Sequence, residues 1–208
     1  MRYLLFDLDD TLYPKSAGLM NEISQRMNEY LVTRLDVPVE QVTQVRQSYW
    51  ERYGTTLRGL YIERQIDPKG FLDYVHAIEV SKYLLPDARL GKMLEGLPQQ
   101  KYVFTNAPRD HAQRVLSALR IENHFAGIFD INFIEFESKP APSAYRKVLS
   151  ALGARADECL MIDDSLRNLV PAQQLGMRTV LLDGKGANGA HEGADHVIST
   201  IYEVKSLL

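Results

Sequence analysis

Phe6-Asp7-Leu8-Asp9-Asp10-Thr11 follows directly on the apolar run Tyr3-Leu4-Leu5-Phe6, and the fate of three carboxylates at the end of a buried strand decides the fold. Like charges repel there, and burying them is costly unless something opposes them. Side chains alternate along a strand, so Asp7 and Asp9 point the same way and one cleft can receive both. In open α/β sheets such a cleft lies at the carboxyl ends of parallel strands.

Further short apolar runs at Tyr102–Phe104, Ile128–Phe133, Cys159–Ile162 and Thr179–Leu182 read as buried parallel strands. Helical spacing follows them, as in Val115 and Leu119, or Tyr145, Val148, Leu149 and Leu152. The alternation predicts an α/β fold, a parallel sheet with helices on both faces. One stretch breaks it. From Leu19 through Ile23, Met27, Tyr30, Leu31 and Leu35 the apolar positions repeat at helical spacing. Pro38 restarts a helix carrying Val42, Val45 and Tyr49, and Leu72, Val75 and His76 suggest another. Residues 15–85 therefore read as a small all-helical domain inserted after the first strand, with 1–14 and 86–208 forming the core and linkers near Pro14 and Pro86.

A second acidic pair, Asp163-Asp164-Ser165, closes another apolar run, and adjacent strands would bring it to the first. Such oxygen-only donors favour a hard cation such as Mg²⁺. Zinc fits poorly, because the five histidines show no paired spacing and there is one cysteine. Two more strand ends offer what an anion needs. Thr105-Asn106 supplies a hydroxyl and an amide before Pro108 opens a helix, and Ser138-Lys139-Pro140 holds an ammonium on a stiff turn.

Taken singly, these pieces are also ordinary caps and turns. Together, in this order, they resemble the haloacid dehalogenase superfamily, in its phosphatase branch with a helical cap. The carriers are Asp7, Asp9 and Thr11, then Thr105, Lys139 and Asp163-Asp164. FDLDDTLYP, YGTTLRGL, FTNAPRDHAQRVL and MIDDSLRNL are further similar to the pyrimidine 5'-nucleotidase group. The resemblance implies a Rossmann-like core and a Mg²⁺-dependent phosphomonoesterase with Asp7 as nucleophile and Asp9 as general acid and base. It implies metal binding by the Asp7 carboxylate, the Asp9 carbonyl and Asp163, and phosphate binding by Thr105, Asn106 and Lys139. Asp10, Asp164, Ser165 and Asn168 would orient these groups. A nucleoside monophosphate is the substrate it suggests, ahead of phosphoglycolate and small sugar phosphates.

A cap that closes over the substrate would carry specificity. Tyr49 and Tyr53, one helical turn apart beside Trp50, offer a base platform, with Thr55 and Arg58 nearby; the same tyrosines would serve equally as the insertion's own core. Three rivals share the scaffold. A dehalogenase has no use for an acid at Asp9, a phosphomutase needs the same residues, and a phosphoacceptor switch would place its acidic pair on the first strand.

The net charge of -3, with no basic run interleaved with aromatics, argues against a nucleic-acid partner. No apolar run suits a bilayer or a secretory signal, and Cys159 reads as buried structure, so the cytoplasm is the expected location. The oligomeric state is open. Gly-rich 183–189 lacks the phosphate-loop pattern and reads as a flexible connection, with His191 and His196 as loop and strand-edge residues.

Overall fold

A computed structural model describes residues 1–184 and 193–208. Strand β1 (Tyr3–Phe6) is fully buried and lies at the centre of a six-stranded parallel sheet. The other strands are β2 (Gln100–Phe104), β3 (Gly127–Phe129), β4 (Cys159–Asp163), β5 (Arg178–Leu182) and β6 (His196–Ile198), in the spatial order β3-β2-β1-β4-β5-β6. This Rossmann-like order places β1 between β2 and β4, where the chain reverses the direction in which it adds strands and ligands collect. Register brings Phe6 opposite Val103 on one side and Ile162 on the other, so the residues just past all three strands share one rim.

The β1 alternation divides the core. Leu4 and Phe6 pack into one apolar cluster and Tyr3 and Leu5 into the other, one on each face of the sheet. Helices α5 (Ala88–Glu95) and α6 (Arg109–Leu119) cover the first face; α7 (Pro142–Leu152) and α8 (Leu166–Gln174) cover the second. Cys159 sits in the second cluster, and burial pushes its thiol up to about 11, which makes it an inert packing residue.

Between β1 and α5 lie four helices, α1 (Leu19–Leu35), α2 (Val42–Tyr53), α3 (Thr56–Arg64) and α4 (Pro68–Val75). Their boundaries have local causes. Gly18 and Asp36 bracket α1 in left-handed conformations, Thr55 accepts from Arg58 N–H to start α3, and Asp67 accepts from Lys69 and Gly70 N–H to start α4 behind Pro68. Among the described helices none is long and apolar enough to cross a membrane.

Two expectations need correction here. The strand expected over Ile128–Phe133 ends at Phe129, because Asp130 turns the chain: its carboxylate accepts from the N–H groups of Arg109 and Phe133 and from the Asn132 amide. Strand β6 is not among the apolar runs read as strands, and only the reading of His196 as a strand-edge residue points to it. His196 does stand exposed at its start, whereas His191 and most of the expected Gly-rich connection lie outside the described residues.

Candidate active site

Asp7 continues the β1 ladder by one bond, its N–H donating to Ile162 O at 2.8 Å, so its carboxylate emerges beside the end of β4. Asp163 ends β4 and is fully buried. Lys139 reaches both from the turn before α7. Its Nζ donates to Asp7 Oδ1 (2.8 Å), Asp163 Oδ2 (2.8 Å) and Phe104 O (2.9 Å). An ammonium has three protons, and all three are taken. Lys139 is 1% exposed and thus works beneath the carboxylates, without a donor left over for the cleft above them.

The surrounding residues hold this arrangement still. Thr11 Oγ1 donates to Asp7 Oδ2 (3.1 Å) and accepts from Asp164 N–H (3.1 Å), tying the two acidic loops together. Asn168 Nδ2 donates to both oxygens of Asp163 (3.0 and 3.1 Å), and Ser165 N–H donates to its Oδ1 (2.9 Å). Asn106 Nδ2 donates to Lys139 O (3.0 Å) and its Oδ1 accepts from Lys139 N–H (2.8 Å), so its amide positions the lysine's main chain. Thr105 is buried at the end of β2, lines the cleft, and accepts from Ala107 N–H.

Burial works against the charge on Lys139, but Asp163 and Asp7 outweigh it and hold the ammonium above the usual lysine range. Burial pushes Asp7 well up, with Asp163 and Asp164 adding to it against the pull of Lys139. Asp164 is also raised by burial, although Lys15 Nζ pairs with it at 2.8 Å. Lys139, with Lys15 at Asp164, thus faces three carboxylates, so one negative charge is left over, and burial disfavours it at Asp7. Oxygens of Asp7, Asp163 and Asp164 all lie within 4.8 Å of one another. Excess charge on converging hard donors fits Mg²⁺ well. Asp164, expected only to orient its neighbours, thereby stands among the converging donors, while the Asp9 side chain stands outside them. Asp10 turns the chain in a left-handed conformation, and burial followed by Asp164 raises its carboxyl to about 6.

Above the carboxylates is a cavity of about 310 Å³. Asp7, Asp9, Thr105, Asn106, Ser165 and Asn168 form its floor. Its roof comes from the helical insertion: Met20, Ile23 and Met27 of α1, Arg46 and Trp50 of α2, and Phe71 and Leu72 of α4. Roof and floor meet at few points. Gly54 lies against the Lys139 turn at φ +89°, where an added Cβ would fall 2.7 Å from Pro140 Cδ. Thr55 Oγ1 lies 3.3 Å from Ser138 Oγ, and Arg167 donates to Trp50 O and Glu51 O while its guanidinium stacks 4.3 Å from the Trp50 ring.

The expected base platform is not in this cavity. Tyr49 is 4% exposed, and α3 lies directly on its ring because Gly59 has no side chain there. Tyr53 turns outward to Glu63, and Arg58 is taken by Phe136 O. Of the four specificity candidates only Thr55 lines the cavity; Trp50, Arg46 and His76 line it as well. Sequence reasoning also missed Tyr13 and His111, both bonded to Asp9.

A family model for haloacid dehalogenase-like hydrolases matches residues 1–176. Phosphate metabolism protein 8 of Saccharomyces cerevisiae is 29% identical over 198 residues, which is 86% of this chain but 61% of the yeast protein, so the chain spans less than two thirds of that relative. A phosphoglycolate phosphatase of Pectobacterium atrosepticum is 26% identical over 86% of this chain and 79% of its own. In fold, the chain is similar to a HAD phosphatase from Thermococcus onnurineus, with a TM-score of 0.67 at 19% identity over 100% of this chain and 97% of the other. The motif order, the sheet and the family match agree, and the chain belongs to the haloacid dehalogenase-like hydrolases.

Proposed function

We propose that the protein is a Mg²⁺-dependent phosphomonoester hydrolase that works through phosphorylated Asp7, with a nucleoside monophosphate as substrate. The observation that carries this reading is the Lys139 bridge between Asp7 and Asp163 beneath a cavity roofed by the helical insertion. The phosphatase names among its relatives support it.

A carboxylate approaching a phosphate dianion is repelled, by about 4 kcal/mol for two unit charges about 4 Å apart at an effective dielectric near 20. Unopposed, that slows attack roughly a thousandfold. Lys139 screens Asp7 from below, and Thr11 fixes the Asp7 oxygen that Lys139 does not hold. Mg²⁺, held by Asp7, Asp163 and the Asp9 carbonyl with Asp164 beside them, would supply further positive charge against the phosphoryl oxygens. Thr105 steadies those oxygens from the end of β2. Asp9 protonates the departing oxygen and then takes a proton from the water that cleaves the aspartyl phosphate. This use of Asp9 separates the reading from dehalogenation, since a halide leaves without a proton.

Residues 15–85 are the cap in this reading, excluding water and contacting the leaving group. The mainly apolar roof, with Trp50 at its edge, suits a nucleobase better than a carboxylate. Phosphoglycolate, which the Pectobacterium relative's name brings in, is the second reading. Release of phosphate from UMP, CMP, phosphoglycolate and sugar phosphates, with Mg²⁺ and with EDTA, tests both. Mg²⁺-dependent release from UMP or CMP is expected. Preference for phosphoglycolate or sugar phosphates would reject the nucleotide while leaving the chemistry; no release from any ester would reject the enzyme.

A further inference from the structure

Asp9 is held by two groups from different parts of the chain, and both bind the same oxygen. Tyr13 Oη donates to Oδ1 at 2.6 Å, and His111 Nε2 lies 2.9 Å from Oδ1. His111, in the first turn of α6, is fully buried, and its Nδ1 is enclosed without any hydrogen-bond partner among the described residues. A proton on Nδ1 would be a buried donor without an acceptor, which is costly. The ring proton therefore sits on Nε2 and is given to Asp9. The His76 ring, which follows α4 in the helical insertion, packs against His111 with centroids 4.7 Å apart, and His76 Nδ1 is fixed by Leu72 O at 2.9 Å. The His111 ring thus has little freedom to turn.

The other oxygen, Oδ2, has no protein partner among the described residues and is not enclosed, while Asp9 lines the cavity. We propose that Tyr13 and His111 are positioning residues that clamp Oδ1 of Asp9 and so make Oδ2 the oxygen that exchanges protons with the substrate. This rests on the reading of Asp9 as acid and base given above. Burial opposes charge on Asp9, but His111 and then Tyr13 outweigh it and hold the carboxyl below the usual range. The clamp thus favours the carboxylate and makes a proton on Oδ2 one that is readily given up. In the protonated form Oδ2 carries the proton and Oδ1 is a carbonyl oxygen that still accepts two bonds. As an Asp7 oxygen bonds to phosphorus the ester P–O bond breaks, its electron pair goes to the departing oxygen, which takes the Oδ2 proton, and Asp9 is left as the carboxylate. The attacking water later returns a proton to Oδ2 as its oxygen bonds to phosphorus and the Asp7 O–P bond breaks, its electron pair returning to the Asp7 carboxylate. Neither clamp donor has to move as the proton comes and goes.

The test uses kcat/KM for p-nitrophenyl phosphate and phenyl phosphate, two esters of similar shape whose leaving groups differ in their need for a proton. Because kcat/KM reports events up to loss of the leaving group, Asp9→Asn should impair phenyl phosphate far more than p-nitrophenyl phosphate. His111→Leu should show the same selectivity at smaller size, losing about ten- to a hundredfold more on phenyl phosphate. His111→Gln, which restores an N–H donor of similar reach, should recover most of the loss. Equal losses on both esters in His111→Leu, with Asp9→Asn still selective, would overturn the clamp. If Asp9→Asn is itself unselective, the acid role of Asp9 fails instead. Should His111→Leu not fold, Tyr13→Phe removes the other donor alone, and an unselective Tyr13→Phe would overturn the clamp equally.

Discussion

The floor and the roof of the cavity are built on opposite principles. The floor is a closed hydrogen-bonded network of charged groups in which Lys139 has no spare donor and Asp163 is held through both oxygens. The roof is mainly apolar side chains, with Arg46 among them, on helices that touch the core at a handful of polar contacts, Thr55 with Ser138 and Arg167 with Trp50 and Glu51 among them. Precise charge placement needs rigidity, because a misplaced ion in a dry site costs several kcal/mol. A surface that must admit and release a substrate needs the reverse. The two regions should therefore fail in different ways when altered.

The largest effect belongs to the floor. Asp7→Asn keeps the size of the side chain but removes the nucleophile, and kcat is expected to fall by about 10⁴-fold or more. Steady-state assay with p-nitrophenyl phosphate checks this; a loss below tenfold would break the division between the regions. Lys139→Met comes next. It leaves Asp7 and Asp163 buried without their counter-charge, and denaturant unfolding should show a loss of about 3 to 5 kcal/mol. Stability close to that of the wild type would mean that the carboxylates are neutral or solvated.

His76 sharpens the comparison through pH. Burial, then His111, lowers its pKa from 6.5 to about 4. The unfolded chain binds this proton more readily, so the contribution is fully present above pH 6.5 and is lost as pH falls through 4. It is on the order of 3 kcal/mol. Denaturation of His76→Phe between pH 4 and 7 should show that much less acid sensitivity than the wild type, and an unchanged slope would contradict the assignment. The smallest effect is expected in the roof. Arg167→Ala frees the end of α2, and KM should rise about tenfold with kcat changed less than threefold, since a contact that closes the cap affects binding more than chemistry. An equal fall in kcat would make Arg167 part of the floor.

The floor was legible in the sequence and much of the roof was not, for a physical reason. Acidic residues directly after an apolar strand have few stable alternatives to a shared, neutralised site, so Asp7, Asp163 and Lys139 announce themselves. Aromatic residues at helical spacing have many. Tyr49 reads equally as platform or core, and only the absent side chain of Gly59 settles that α3 covers it. His111 sits in α6 among buried Ala112, Val115 and Leu116, where one polar residue on an apolar face gives no sign of reaching Asp9 across the fold. β3 was read too long because nothing in Asp130-Ile131-Asn132-Phe133 reveals that the Asp130 carboxylate takes the N–H groups. Short, partly exposed β6 has no sustained alternation to detect.

The account stands most directly on covalent attachment of phosphate to Asp7. In Asp9→Asn, p-nitrophenyl phosphate can still lose its leaving group without an acid, but the water that should release the phosphate lacks its base. Intact-mass and peptide analysis of that variant after mixing with the ester and Mg²⁺ should show one phosphoryl group per chain on the peptide holding Asp7. Stoichiometric release of nitrophenolate with no phosphoryl group on the chain, or with the group on another residue, would contradict it.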